Sequence, residues 1–280
     1  MPVNDELGRR MKDFYETIPK TKLMRRTPAA IRIDGKAFHT FTRGMKRPFD
    51  SILIETMQQT MKYLCENIQG CVLGYTQSDE ITLILIDYQK LTSSAWFDYE
   101  VQKICSISAS MATKAFNKYF YGNALEYILQ PESREAIERG LPKLPYIIND
   151  YYGQTDDEKD YIQTLITASE KGAMFDARCF NIPKEEVTNC FIWRQQDATR
   201  NAIQMLGQSN FSHKELQGKS CSDIQDMLMI QKGINFNDMP TEFKRGICCF
   251  KTATGWELDP EIPVFTQDRE YVERFIIEEN

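Results

Sequence analysis

Histidine is scarce in this chain: His39 and His213 are the two found among 280 residues. The eight cysteines (65, 71, 105, 179, 190, 221, 248 and 249) fall at irregular spacings, and no C-x-x-C occurs. That argues against a structural zinc site, and reduced thiols in a cytoplasmic protein are the simpler reading. Long apolar runs are missing as well. No window approaches the ~20 apolar residues of a membrane span, and the N-terminal MPVNDELGRRMKDF has no apolar stretch of the secretory kind. Positive charge is in deficit, with a formal net charge of −6, which speaks against wholesale nonspecific binding of nucleic acid but leaves local basic patches open. Three patches qualify: Lys20-Thr-Lys-Leu-Met-Arg-Arg26, the group Arg43, Lys46 and Arg47, and Lys244-Arg245. Each, taken alone, reads as solvated surface.

What is present is ordinary globular material, long enough for one large domain or a core with an attachment. Ala29 to Asp34 alternates and ends in Asp-Gly, which predicts a strand stopping at Asp34. Asp50 is placed to N-cap a helix whose Ile54, Met57, Met61 and Leu64 recur at helical spacing. Cys71–Thr76 and Ile81–Asp87 read as two strands joined by the tight turn Gln77-Ser78-Asp79-Glu80. A second helix is expected from Tyr99 to about Tyr121, with small residues (Ser106, Ser108, Ala109, Ser110, Ala112) that allow close packing on a sheet. Residues 122–172, with Pro131, Pro142, Pro145 and the acidic run Asp156–Asp160, read as an insertion of uncertain order. Strand character resumes at Ala173–Asn181. Pro183 opens a helix to about Leu206 closed by Gly207, Ser222–Gln225 looks like a capping box for a further helix ending at Gly233, and Gly246–Thr252 suits another strand.

Through residue 181 the order is β-α-β-β-α-β, the ferredoxin-like split βαβ pattern of an α+β fold. It divides the chain into a core at 1–181 and an extension of helices and strands at 182–280, expected to pack on the core. A β-α-β crossover makes the first two strands parallel, and in this topology the third lies beside the first. Asp34 and the Asp79–Glu80 turn are thereby brought to one edge of the sheet. Clustered carboxylates repel, and fold structure alone supplies no reason to gather them. A pair of Mg²⁺ ions does, since hard cations prefer carboxylate and carbonyl oxygens and bridge to phosphates. Behind Asp34 comes Gly35-Lys36-Ala37-Phe38-His39, where glycine permits close backbone approach and successive N–H groups can hold an anion such as a triphosphate. Arg47, Lys103 and the Ser78 hydroxyl are further candidates for that anion. His39 reads equally as a ligand contact or as a packed ring between Phe38 and Phe41.

Three segments carry a resemblance: Arg32-Ile-Asp-Gly-Lys-Ala-Phe-His-Thr-Phe41, Gly74-Tyr-Thr-Gln-Ser-Asp-Glu80, and Lys103 to Ser110 with its repeated serines. Together they resemble the catalytic core of the tRNA-histidine guanylyltransferase family, 3′-5′ polymerases built on a polymerase- and cyclase-type palm. Phe175-Asp-Ala-Arg178, Ile192-Trp-Arg-Gln195, Gly207 to Lys214 and Lys244-Arg-Gly246 add to it. The resemblance implies Asp34 and Asp79 as ligands of two Mg²⁺ with the Gly35 carbonyl, and Glu80 as a required neighbour. Residues 34–39, Arg47, Ser78, Asp79 and Lys103 would hold a nucleoside triphosphate, GTP or another, with ATP as activator. Arg178, Arg194, Lys214, Lys244 and Arg245 would contact tRNA at its 5′ end and acceptor stem, and a homo-tetramer is implied. Members acting on histidine tRNA typically carry His-x-Asn-Asn-Leu-Tyr-Asn after Trp-Arg-Gln. Here Thr199-Arg-Asn-Ala-Ile-Gln-Met205 stands in its place, closer to the guanylyltransferase-like subgroup linked to template-dependent repair of tRNA 5′ ends. Glu100 replaces a basic residue expected three positions before Lys103. Two other readings compete: a palm-type nucleotide cyclase, and a non-catalytic RNA-binding module of the same fold.

Overall fold

The structure is a computed structural model describing residues 5–129 and 155–277. Its six strands are β1 (Ala29–Gly35), β2 (Cys71–Gln77), β3 (Glu80–Leu85), β4 (Phe175–Asn181), β5 (Ile247–Lys251) and β6 (Trp256–Asp259). They form one sheet in the order β4-β1-β3-β2-β5-β6, every neighbouring pair antiparallel. Because β1 and β2 both run against the intervening β3, they are parallel to each other, and the expected ferredoxin-like arrangement is present. The C-terminal part extends the same sheet through β5 and β6, the latter unread in the sequence.

Alternation in β1 decides which side chain faces which layer. Ile31 and Ile33 point to one face, where they join the core, while Arg32 and Asp34 project from the other. The first face is covered by α3 (Ser51–Asn67) and α4 (Val101–Ile128). Met57, Met61 and Leu64 of α3 and Ile104, Ala112 and Phe116 of α4 are almost wholly buried there, each large apolar side chain contributing about 1.5–3 kcal/mol. Asp50 N-caps α3, accepting from the Leu53 N–H at 3.0 Å, and its other oxygen accepts from the Lys46 N–H and the Tyr161 hydroxyl. Phe38 and Phe41, on the short helix α2 (Phe38–Phe41), join Phe116, Phe120 and Phe175 in an aromatic cluster with centroid spacings of 5.1–5.7 Å. The second face is covered by α6 (Lys184–Asn210) through Val187 and Phe191, together with Ile262, Phe265 and Val272.

Several boundaries differ from expectation. Part of the presumed insertion is helical: α4 runs on to Ile128, and α5 spans Asp156–Lys171. The acidic run of that insertion is a helix start, since Thr155 caps it and Asp156, Asp157 and Glu158 sit against the positive end of the dipole. Pro131, Pro142 and Pro145 lie outside the described residues. Gly207 does not close α6. It is buried inside the helix, where a Cβ would meet Ile224 Cγ2 at 2.7 Å, so the glycine marks close packing against α8 (Cys221–Met227). The capping box of α8 is Ser220 with Asp223, two positions earlier than read, and a second box, Ser212 with Glu215, opens α7 (His213–Leu216). Gly233 does end the helical stretch, in a left-handed conformation. An N-terminal helix α1 (Glu6–Met11), continued by a π-turn to Glu16, also went unread.

Candidate functional site

The two acidic segments meet as the topology requires. Asp34 and Glu80 are direct cross-strand partners, and the Gly35 N–H donates to the Asp79 carbonyl at 3.1 Å. Ser78 and Asp79 are the two residues of the hairpin turn, and Ser78 takes the left-handed conformation at φ +51°. Ala37 does the same at φ +53°, ahead of α2. Two non-glycine residues held in this costly region flank the acids, a pattern common where a site dictates backbone geometry. Gly35 is needed for a reason the sequence did not show: the Phe38 ring folds back so closely that a Cβ would stand 2.2 Å from it.

The adjacent acids differ in their compensation. Glu80 faces Arg194, Nε to Oε1 2.6 Å, with Arg32 at 3.8 Å. Asp79 accepts a hydrogen bond from the Ser78 hydroxyl at 3.1 Å, and among the described residues neither it nor Asp34 has a basic partner within ion-pair distance. Burial, then the charge of Asp34, pushes the Asp79 carboxyl above its ordinary value. Burial also raises Glu80, against the opposing pull of Arg194 and Arg32.

Beside the acids opens a cleft of about 630 Å³. Asp34, Gly35, Ala37, Phe38, His39, Arg47, Ser78 and Asp79 all line it. His39 is exposed on α2, so the packed-ring reading does not hold. Among the described residues the N–H groups of Ala37, Phe38 and His39 bond to no other group of the chain, leaving three donors at the cleft. The remaining wall comes from parts of the chain that no motif had linked: Leu53 and Met57 of α3, Ala202 and Met205 of α6, and Glu242 and Phe243 of α9 (Thr241–Arg245).

Other candidates fall elsewhere. Lys36 and Lys103 are exposed and do not line the cleft; the Lys103 ammonium lies 5.9 Å from the Phe97 ring. Glu80 is likewise off the cleft wall. Arg194 is buried, its guanidinium bound to Glu80 and to Asp197 at 2.9 Å, so it is not a surface contact for RNA. Lys244 donates to the Asn237 carbonyl at 2.6 Å, and the Arg245 carbonyl accepts from the Tyr75 hydroxyl. Arg178 bridges Asp176 at 3.0 Å on the edge strand, and Lys214 is exposed. Most of the Lys20–Arg26 patch is paired: Lys20 with Glu16, Lys22 with Asp98, and Arg25 with Asp87 and Asp98, while the Arg26 side chain is exposed. The Lys46 ammonium lies over the Tyr127 and Tyr161 rings at 4.7 and 4.4 Å.

The arrangement suits a hard cation. No three side chains of His, Cys, Asp or Glu converge on one point among the described residues. Asp34 and Asp79, brought together at the cleft, are two hard oxygen donors of the kind Mg²⁺ takes when phosphate oxygens and water supply the remaining ligands. Two mutually repelling, uncompensated carboxylates are consistent with such an ion.

Residues 8–183 match the family model of tRNAHis guanylyltransferase (Thg1). The chain belongs to this family. A solved bacterial Thg1-like protein in complex with ATP is 42% identical, covers 96% of this chain and 99% of its own, and superposes with a TM-score of 0.76. A second, in complex with GTP, is 37% identical over 97% of this chain and 99% of its own at 0.72. The Saccharomyces cerevisiae tRNA(His) guanylyltransferase structure, 19% identical over 91% of this chain and 99% of that one, shares the fold at 0.61. Among curated relatives, a probable tRNA(His) guanylyltransferase of Dictyostelium discoideum is 24% identical over 79% of this chain and 74% of its own length. The chain is thus a transferase of the class that adds nucleotides to the 5′ end of tRNA, as the resemblance implied.

Proposed function

We propose that this protein is a template-dependent 3′-5′ nucleotidyltransferase that rebuilds incomplete 5′ ends of tRNA. The observation that carries the reading is the uncompensated pair Asp34 and Asp79 at the wall of a cleft of nucleotide size. The incoming nucleoside triphosphate lies in the cleft, its phosphates toward the free N–H groups of residues 37–39, the Ser78 hydroxyl and Arg47, and its base among Leu53, Met57 and Phe243. ATP and GTP, the ligands of the two bacterial relatives, are the natural first candidates. The 5′-monophosphate of the RNA is activated by ATP, or a 5′-triphosphate serves directly. The nucleotide's 3′-hydroxyl then attacks the activated phosphate and expels AMP or pyrophosphate. Asp34, Asp79 and the Gly35 carbonyl would hold two Mg²⁺, which when bound neutralise phosphate charge and lower the pKa of the attacking hydroxyl. Glu80, fixed by Arg194, positions the hairpin.

Among the described residues no helix is long and apolar enough to cross a membrane. All eight cysteines are free thiols, which supports a reducing, cytoplasmic setting. Burial pushes Cys179 up to about 12, so it is inert as a nucleophile. A homo-tetramer is proposed from the family alone. The departure at Thr199–Met205 favours repair over histidine-specific guanylylation. Incubation with 5′-truncated tRNAs and each labelled triphosphate tests this: added nucleotides are expected to follow the opposing strand. Addition confined to one guanosine on histidine tRNA would refute it, and a cyclic product from triphosphate alone would favour a cyclase.

A further inference from the structure

The acids stand between two different surroundings. Toward β2 and β5 lies the cleft; over β1, away from it, α6 presents Trp193. This side chain is 49% exposed, although its ring lies 4.5 Å from the Arg194 guanidinium and 5.5 Å from that of Arg32. Arg32 also approaches Glu80 at 3.8 Å and projects from the same face of β1 as Asp34. Its register partner across β4 is Arg178, whose side chain is half exposed. Trp193, Arg32 and Arg178 do not line the cleft. The two guanidiniums that face Glu80 therefore hold an aromatic plate in place without covering it, and much of what full burial of a tryptophan would contribute is forgone.

We propose that Trp193 is the stacking platform for the terminal base pair of the RNA acceptor. The inference rests on the tRNA 5′ end being the acceptor, as argued above. Reaction requires the 5′ phosphate at the acids while the nucleotide occupies the cleft, so the duplex end must arrive from the side away from the cleft, where this plate stands. A duplex end offers a flat base pair, and stacking on it is tolerant of sequence. That suits an enzyme whose template, not its own side chains, selects the nucleotide. Arg32 and Arg178, register partners on neighbouring strands, share their charge with Glu80 and Asp176 and still put two cations near the approach of the terminal phosphates.

The test uses the full chain as wild type, Trp193→Ala and Trp193→Phe, with an acceptor RNA carrying 2-aminopurine as its 5′-terminal base. Wild type should quench the probe, and Trp193→Ala should not. The KM for RNA should rise roughly tenfold in Trp193→Ala, with kcat, nucleotide affinity and thermal midpoint unchanged, and Trp193→Phe should recover most of the loss. Equal quenching and KM in Trp193→Ala would overturn the proposal. So would a joint fall in nucleotide affinity and thermal midpoint, which would make the side chain structural. Quenching by a wild-type enzyme that adds no nucleotide to any RNA would overturn the acceptor reading and leave the platform supported.

Discussion

Asp79 and Glu80 are consecutive residues of one hairpin, and both are raised from their ordinary values chiefly by burial. Their neighbours divide them. Glu80 enters the second face of the sheet, beneath α6, where Arg194 and Arg32 balance its charge and Asp197 holds Arg194 from the far side. Asp79 stays in the turn with a serine hydroxyl for company and Asp34 as a repelling neighbour. One carboxylate completes an internal ion-pair network; the other is left uncompensated at a cleft. The difference shows how to separate structural from chemical acids in a cluster: count the cations that the fold has already committed to each.

Breaking the uncompensated side should give the largest effect on activity. Asp79→Ala is expected to lower nucleotide addition by at least about 10³-fold, equal to about 4 kcal/mol of barrier. Its thermal midpoint should be unchanged or slightly higher, since a repulsion with Asp34 is relieved. A folded variant with near-normal addition would end the assignment. Breaking the compensated side should instead destabilise the protein. Arg194→Met leaves Glu80 buried without its main partner and is expected to cost about 3–5 kcal/mol in denaturant titration. Glu80→Gln in the same chain should return much of that loss, because the stranded charge is gone. If the single and double variants were equally destabilised, the network would not be the source of the cost.

The same contrast governs metal response. Mg²⁺ at a hundredfold excess over its Kd should stabilise wild type by about 2.7 kcal/mol. Asp34→Asn with Asp79→Asn should abolish that gain and Glu80→Gln should retain most of it, read from thermal midpoints with and without chelator. Equal Mg²⁺ responses in all three proteins would show that the ion binds elsewhere.

The legible part of this chain was the part governed by short-range rules. Alternation and Asp-Gly punctuation located β1, helical spacing and an N-cap located α3, and topology alone brought Asp34 to the Asp79 hairpin. Long-range packing was illegible. Gly207 reads as a helix stop, yet it lies inside α6 because Ile224, far along the chain, leaves no room for a methyl group. Arg194 was expected among the RNA contacts, since nothing in Trp-Arg-Gln reveals that Glu80 takes its guanidinium. The acidic run at 156–160 misled in the opposite sense: charges read within an insertion of uncertain order stabilise a helix N-terminus when a capping threonine precedes them. The cleft was half legible. The end proposed for phosphate is one motif, whereas the walls from α3, α6 and α9 are assembled only by the fold.

The smallest expected effect probes the outer edge of the compensated network. Burial raises the Asp197 carboxyl, but the hydrogen bond from Arg200 and the charge of Arg194 outweigh it and leave the group below its ordinary value. A carboxylate whose pKa is depressed on folding adds stability above its unfolded value, near 3.9, and loses it as the pH falls through the folded one. Asp197 is partly exposed, so solvent screening limits the contribution to about 0.5–1 kcal/mol. Asp197→Asn should therefore be less stable than wild type by that margin at pH 7, with the gap narrowing below about pH 4 and closing at lower pH. A gap that stayed constant down to pH 2, measured by paired denaturant titrations, would mean that the side chain acts through packing or hydrogen bonding and not through its charge. The compensation of Glu80 would then rest on Arg194 and Arg32 alone.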